Sequence, residues 1–319
     1  MIRFDYADPI YLDIALSAYR EWLRPKYAGI FYESPFVVST TTHGVGGREY
    51  IQKTGAALAE RHIPWTELTD AETAKRIYPT LSGTLANPGF YGYHHRRAGW
   101  ADANKAIAQL RDDCIEKGVS FVSGTAGTVV EFVTNADRTI TAAKTLSGDL
   151  VHGEHFVLAA GAWSAGLASS YNSTISTGQV VGFVKLTDAE AERLKTMPIY
   201  INFSTGWFIF PPHPDTNMLK MAVHGWGYTR AMSDEEQQIV QRKVSAPPLR
   251  ARRERADYVP ADGETRLRQG LREVFPELGD RPFAQTALCW YTDTPTGDFI
   301  MDYHPDYSNL FMAGGGSGQ

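Results

Sequence analysis

Two strand-like stretches each set reactive side chains on a shared face. In Met218-Leu-Lys-Met-Ala-Val-His224, the two-residue period of a strand puts Lys220, Ala222 and His224 on one side. Leu219, Met221 and Val223 then face the core. A lysine there supplies fixed positive charge, and a histidine can orient or deprotonate an amine. A solvated sheet face is the bland alternative. In the strand beginning near Thr286, Cys289 and Tyr291 also share a side. A thiolate can act as nucleophile or covalent tether, and a phenol can hydrogen-bond a substrate. An inert core cysteine accounts for the same pattern.

Glycine turns after apolar strands come next. Phe156-Val-Leu-Ala-Ala-Gly161-Ala-Trp-Ser164 reads as strand, glycine, helix start, so backbone can approach a cofactor closely at Gly161. An apolar strand also runs into Gly314-Gly315-Gly316-Ser317-Gly318, a turn expected to present helix N-terminal amides to a ligand. That turn points to a flavin site. The chain stops at Gln319 before a helix can start, so the site is expected to be incomplete. Gly44-Val-Gly-Gly47 also follows a strand, but its spacing departs from Gly-x-Gly-x-x-Gly and it reads as a loop over His43–Gly47. His152 with His155, and His94 with His95, sit on strands where successive side chains diverge; no metal site is expected from either.

The elements that must position these residues follow from local patterns. Tyr11 to Trp22 has helical spacing, and Pro35 to Thr41 reads as a strand. Thr69-Asp-Ala-Glu72 reads as a capping box, and Asp102 as the cap of a helix through Glu116 that ends at Gly118. Val119–Phe132, Ile140–Val151 and a buried Phe156–Ala160 read as strands, with parallel-type alternation of helix and strand to about Leu167. From Ile175 the texture becomes antiparallel: Gln179–Leu186, Ile199–Phe210 and Met218–Gly225. Ser233–Arg255 is charged and helical at its start, and Thr265–Phe275 is a further helix.

Composition narrows the function classes. A net charge of -5 gives no electrostatic case for nucleic acid, and no basic block suggests a membrane surface. No apolar run reaches the roughly 18 residues that a spanning helix needs. With only two cysteines, Cys114 and Cys289, a disulfide framework is out of reach, which fits a reducing compartment. No targeting signal is visible, and a cytoplasmic or peroxisomal location is expected.

Together these segments resemble the FAD-dependent amine oxidases that act on sarcosine, pipecolate, saccharopine and fructosyl amino acids. The resemblance rests on Ile2-Arg3 with Tyr6-Ala-Asp-Pro9, Gly99-Trp-Ala-Asp102, Val157-Leu-Ala-Ala-Gly-Ala-Trp-Ser164, Lys220 with His224, and Cys289-Trp-Tyr-Thr-Asp-Thr-Pro295. It implies that Cys289 bonds covalently to the flavin ring of FAD and that the charge of Lys220 favours electron transfer to oxygen. His224 and Tyr291 would line the substrate pocket, both with catalytic roles, and Arg3 would hold the substrate carboxylate. Val129, Ala160, Gly161, Trp163, Gly315, Gly316, Ser317 and Gly318 would complete the cofactor site. The implied reaction moves a hydride from the carbon beside nitrogen to the flavin, hydrolyses the resulting imine and yields hydrogen peroxide from oxygen. Fructosyl-amino-acid oxidases tend to carry glutamate where this chain has His224, which tilts the substrate toward N-substituted or cyclic amino acids.

The implied architecture is mixed α/β (α+β), D-amino-acid-oxidase-like: an FAD-binding Rossmann-like domain lacking its first βαβ unit, plus an antiparallel-sheet substrate domain. Within one 1–319 region, the FAD-domain parts are expected at about 96–172 and 286–319, and the substrate-domain parts at about 1–95 and 173–285. The family continues from Gly-Ser-Gly into His-Gly-Phe-Lys, and both ends of this chain are expected to lack site residues. A catalytically incompetent fragment or pseudoenzyme is the alternative. A small amine substrate and oxygen are the expected partners, and the chain is expected to be a monomer.

Overall fold

The computed structural model describes residues 1–41, 47–249 and 259–316. The loop expected at His43–Gly47 falls mostly outside them, as do Ser317, Gly318 and the end of the 233–255 segment. In chain order the first elements are α1 (Pro9–Trp22), β1 (Phe31–Thr40), α2 (Arg48–Glu60), β2 (Thr66–Leu68), α3 (Ala71–Ile77), β3 (Tyr91–Ala101) and α4 (Ala103–Glu116). Then follow β4 (Val129–Thr134), β5 (Ile140–Thr145), β6 (Leu150–His152), β7 (Phe156–Leu158), α5 (Ser164–Leu167), β8 (Ile175–Lys185) and α6 (Asp188–Leu194). The rest are β9 (Ile199–Asn202), β10 (Trp207–Ile209), β11 (Met218–Val223), α7 (Asp234–Val240), α8 (Ala261–Val274), β12 (Gln285–Asp293), β13 (Ile300–Tyr303) and β14 (Leu310–Gly314). No helix among the described residues is long and apolar enough to cross a membrane.

These elements form two compact units. The first comprises Met1–Cys114, Val180–Gly225 and Ala256–Ala287; the second comprises Ile115–Gln179, Trp226–Arg255 and Leu288–Gln319. Residues 226–255 were expected with the antiparallel-sheet part, yet they cluster with the second unit. Helix α7 contacts β4, and Met232, Val240 and Ala246 line a cavity together with Val129 and Phe156.

In the first unit a mostly antiparallel sheet runs in the order β8-β11-β10-β9-β1-β3-β2, with β1 and β9 parallel. Helix α8 lies on β10 and β11 through Leu267, Leu271 and Val274, an i, i+4, i+7 stripe. The Trp207 indole donates to the Leu267 carbonyl at 3.1 Å, fixing β10 to that helix. A second cluster gathers Phe4, Leu12, Tyr19, Leu58 and Ile63 under α1 and α2. Helix starts follow local chemistry. Asp102 accepts the Asn104 and Lys105 amides at 3.1 and 3.2 Å, and Gly118 sits just past the helix end at φ +85°. At α3, however, the cap is Asp70, which accepts the Thr73 amide at 2.7 Å; Thr69 instead donates to Asp70, so a plain aspartate cap replaces the expected box.

In the second unit β4-β5-β6 is an antiparallel meander, and β13-β14-β7 pairs β14 with β7 in parallel. The expected run of parallel-type alternation therefore fails before Leu167. Short turns such as the one at Gly148 (φ +94°) join neighbours antiparallel, because a parallel pair needs a long crossover. Strand character starts only at Val129, since Phe121 and Val122 are exposed and irregular, and Ile140–Val151 splits into two strands at that turn. The expected buried strand Phe156–Ala160 ends at Leu158, with Val157 66% exposed.

Candidate active site and cofactor cavity

On β11 the period of two holds. Leu219, Met221 and Val223 are buried, while Lys220 and His224 are exposed and Ala222 is buried between them. The Lys220 ammonium lies 5.6 Å from the centroid of Phe210, a cation–π distance. The His224 amide donates to the Gly206 carbonyl at 2.9 Å, closing the β10–β11 hairpin and fixing where that imidazole begins.

Arg3 reaches the same unit from the N-terminal segment, which is bridged to β3 by paired bonds between Ile2 and Gly99 at 2.7 and 2.9 Å. Its guanidinium donates to the Asp5 carbonyl at 2.7 Å and sits 4.1 Å over the Tyr6 ring. Burial opposes the Arg3 charge, but Asp5 and the surrounding phenols hold the proton more firmly than usual.

The second unit carries Cys289 and Tyr291 on β12. Cys289 is exposed. Desolvation, then the neighbouring Cys289 and Asp293, push the Tyr291 phenol up to about 12, so it stays protonated and able to donate at neutral pH. The same unit contains a cavity of about 920 Å³, near the upper end of the roughly 300–1,000 Å³ usual for ligand sites. Val129, Ala160 and Trp163 are among the residues that line it. Its other wall is Met232, Val240, Ala246 and Leu249, which sequence reasoning missed.

The residues suit a large, partly apolar cofactor. Gly161 takes φ +53°, and a Cβ added there would meet nothing within 4 Å; Gly166 and Gly314 are equally open. The Ser164 hydroxyl, at the start of α5, is buried with no hydrogen-bond partner among the described residues. Gly315 differs, since at φ +75° an added Cβ would fall 2.8 Å from the Asp298 carbonyl; it serves the turn itself. Gly316 leaves open space, with Phe299 at 3.9 Å. His94 and His95 diverge as expected: one meets the Tyr78 hydroxyl at 3.1 Å, the other stacks on Phe4.

The family model described as DAO, FAD dependent oxidoreductase, matches residues 1–319. The chain is 27% identical over 332 residues to L-saccharopine oxidase of Schizosaccharomyces pombe, spanning all of this chain and 75% of that protein. Monomeric sarcosine oxidase of a Bacillus species is 28% identical over 65% of this chain and 50% of its own length. Among solved structures, the deglycating enzyme fructosamine oxidase of Aspergillus fumigatus (Amadoriase II), in complex with FSA, matches with TM-score 0.82 and 26% identity, covering 97% of this chain and 68% of that one. This protein belongs to the FAD-dependent oxidoreductases of the DAO family, and its mixed α/β fold is theirs.

Proposed function

We propose that this enzyme oxidises the C–N bond of a secondary amino acid, N-substituted or cyclic, with oxygen as acceptor, giving an imine and hydrogen peroxide. The observation that carries the reading is the pair of cations in the first unit, Arg3 held protonated and Lys220 beside Phe210. A planar guanidinium is suited to a carboxylate, and a lysine point charge to oxygen activation. Arg3 binds and orients the substrate carboxylate, and His224 sets the substrate nitrogen. The Tyr291 phenol of the second unit, protonated at neutral pH, is able to donate a hydrogen bond. In this reading the second unit is the cofactor domain: Val129, Ala160 and Trp163 hold FAD, and Cys289 tethers it. FAD supplies the two-electron acceptor. The relatives support an amino-acid-derived amine, and saccharopine and sarcosine oxidases among them favour a secondary amine.

A second reading, oxidation of fructosyl amines, is favoured by the fructosamine oxidase match; His224 argues against it. The experiment is anaerobic mixing of the yellow holoenzyme with N-methylglycine, pipecolate, saccharopine and a fructosyl amino acid. Bleaching by any of the first three supports the proposal. Bleaching by the fructosyl compound alone replaces it, and bleaching by none overturns it.

A further inference from the structure

Asp5 is fully buried, and its charge is answered by an unusual set of neighbours. The Tyr93 hydroxyl donates to its Oδ2. Arg3 Nη1 lies 3.6 Å from Oδ1, and His95 Nε2 lies 3.8 Å from the same oxygen. Neither Oδ1 nor Nε2 has a hydrogen-bond partner among the described residues. The imidazole is clamped: it stacks on Phe4 at 5.5 Å and on Tyr93 at 6.0 Å, meets Phe36 edge-on at 5.6 Å, and accepts the Arg97 amide at Nδ1. Aromatic packing thus aims Nε2 at Asp5, and Tyr93 pins the other carboxylate oxygen.

We propose that Asp5, locked by Tyr93 and His95, is the positioning residue for Arg3 and sets the plane in which its guanidinium meets a carboxylate. The inference rests on the reading of Arg3 as the carboxylate binder. A buried carboxylate is costly unless a cation and donors satisfy it. Here that cation is a side chain with large rotamer freedom, and fixing it before substrate arrives removes an ordering loss from binding. Arg3 is confined on its other side by the Tyr6 ring.

The test reads Arg3 directly. Nitrogen-15 spectra of the holoenzyme, with the Arg3 signal assigned by its loss in Arg3→Lys, should show separate, slowly rotating Nη resonances. In Asp5→Asn, and in the milder Tyr93→Phe should the first fail to fold, those resonances should merge. Unchanged Nη resonances in the folded variants would overturn the proposal, as would averaged resonances in the wild type. A second arm uses calorimetry with methoxyacetate and its uncharged amide as probes, since neither carries the amine that the flavin would oxidise. Asp5→Asn should weaken the acid about tenfold while the amide stays within about twofold; equal weakening of both would mean a merely structural role. If Arg3→Met keeps the preference for acid over amide, the carboxylate reading fails, whatever the Nη resonances say of Asp5.

Discussion

Glu236 accepts the backbone N–H of Leu249 at 3.0 Å, from 13 residues further along the chain. The same carboxylate takes the Ser233 amide at 2.8 Å and Arg230 Nη2 at 2.6 Å. One side chain therefore ties together the segment whose Met232, Val240, Ala246 and Leu249 wall the cavity. Glu236→Gln is expected to cost about 1–3 kcal/mol and to weaken FAD retention, measured by melting with and without added FAD.

The same carboxylate gives a pH signature. Burial would raise it, but Arg230 and the two amides pull it down to about 2 from an ordinary 4.5. A folded value below the unfolded one stabilises above about pH 4.5 and is lost as pH falls toward 2. Acid titration of the wild type should show that loss, and the Glu236→Gln variant should be flatter over the same window.

Gly161→Val should hurt the cofactor more than the fold. A β-branched residue is strained at φ +53°, by about 1–2 kcal/mol, and its methyls would enter the open space beside Ala160. In the Cys289→Ala background, where FAD binds reversibly, a fall of at least about tenfold in FAD affinity is expected, read by fluorescence titration. Unchanged affinity would remove Gly161 from the cofactor site.

Cys289→Ala should abolish any flavin that survives acid precipitation, while leaving reversibly bound FAD. The thiol is exposed on β12, so its removal leaves no core cavity. Intact mass and the colour of the precipitate decide the matter: yellow polypeptide from the variant would rule out this tether.

Lys220→Met should slow reoxidation by oxygen far more than reduction by substrate, because it removes positive charge at a fixed place. Stopped-flow measurement of the two half-reactions checks this. Equal slowing of both would assign Lys220 to substrate binding instead.

How much of this was legible in the chain varied with distance along it. The faces of β11 were readable, because a period of two needs only neighbours, and so was the cap Asp102, which acts within three residues. Arg3 was found through resemblance. Its partners were not, for Tyr93 lies 88 positions from Asp5 and only the placement of β3 brings them together. The cavity wall at 230–249 was hidden differently. It read as a charged segment, helical at its start, and nothing in that local pattern shows that its few apolar side chains bury together and line the same cavity as Val129 and Trp163. The strand misreadings at Val119–Thr128 came from β-branched composition without a partner strand to pair with.

The interleaving of the two units has a consequence for how this chain reaches its native state. The first unit is unfinished until Ala256–Ala287 has been made, because α8 is the cover for Trp207, Leu219 and Met221. The second waits longer still, for β14 to pair with β7. Each unit is thus assembled from segments far apart in sequence, and sequence-distant partners must find each other before either is complete. A cut anywhere between Ile115 and Ala287 would split both units, so co-expressed halves, rather than an isolated domain, are the form in which pieces divided there could be recovered.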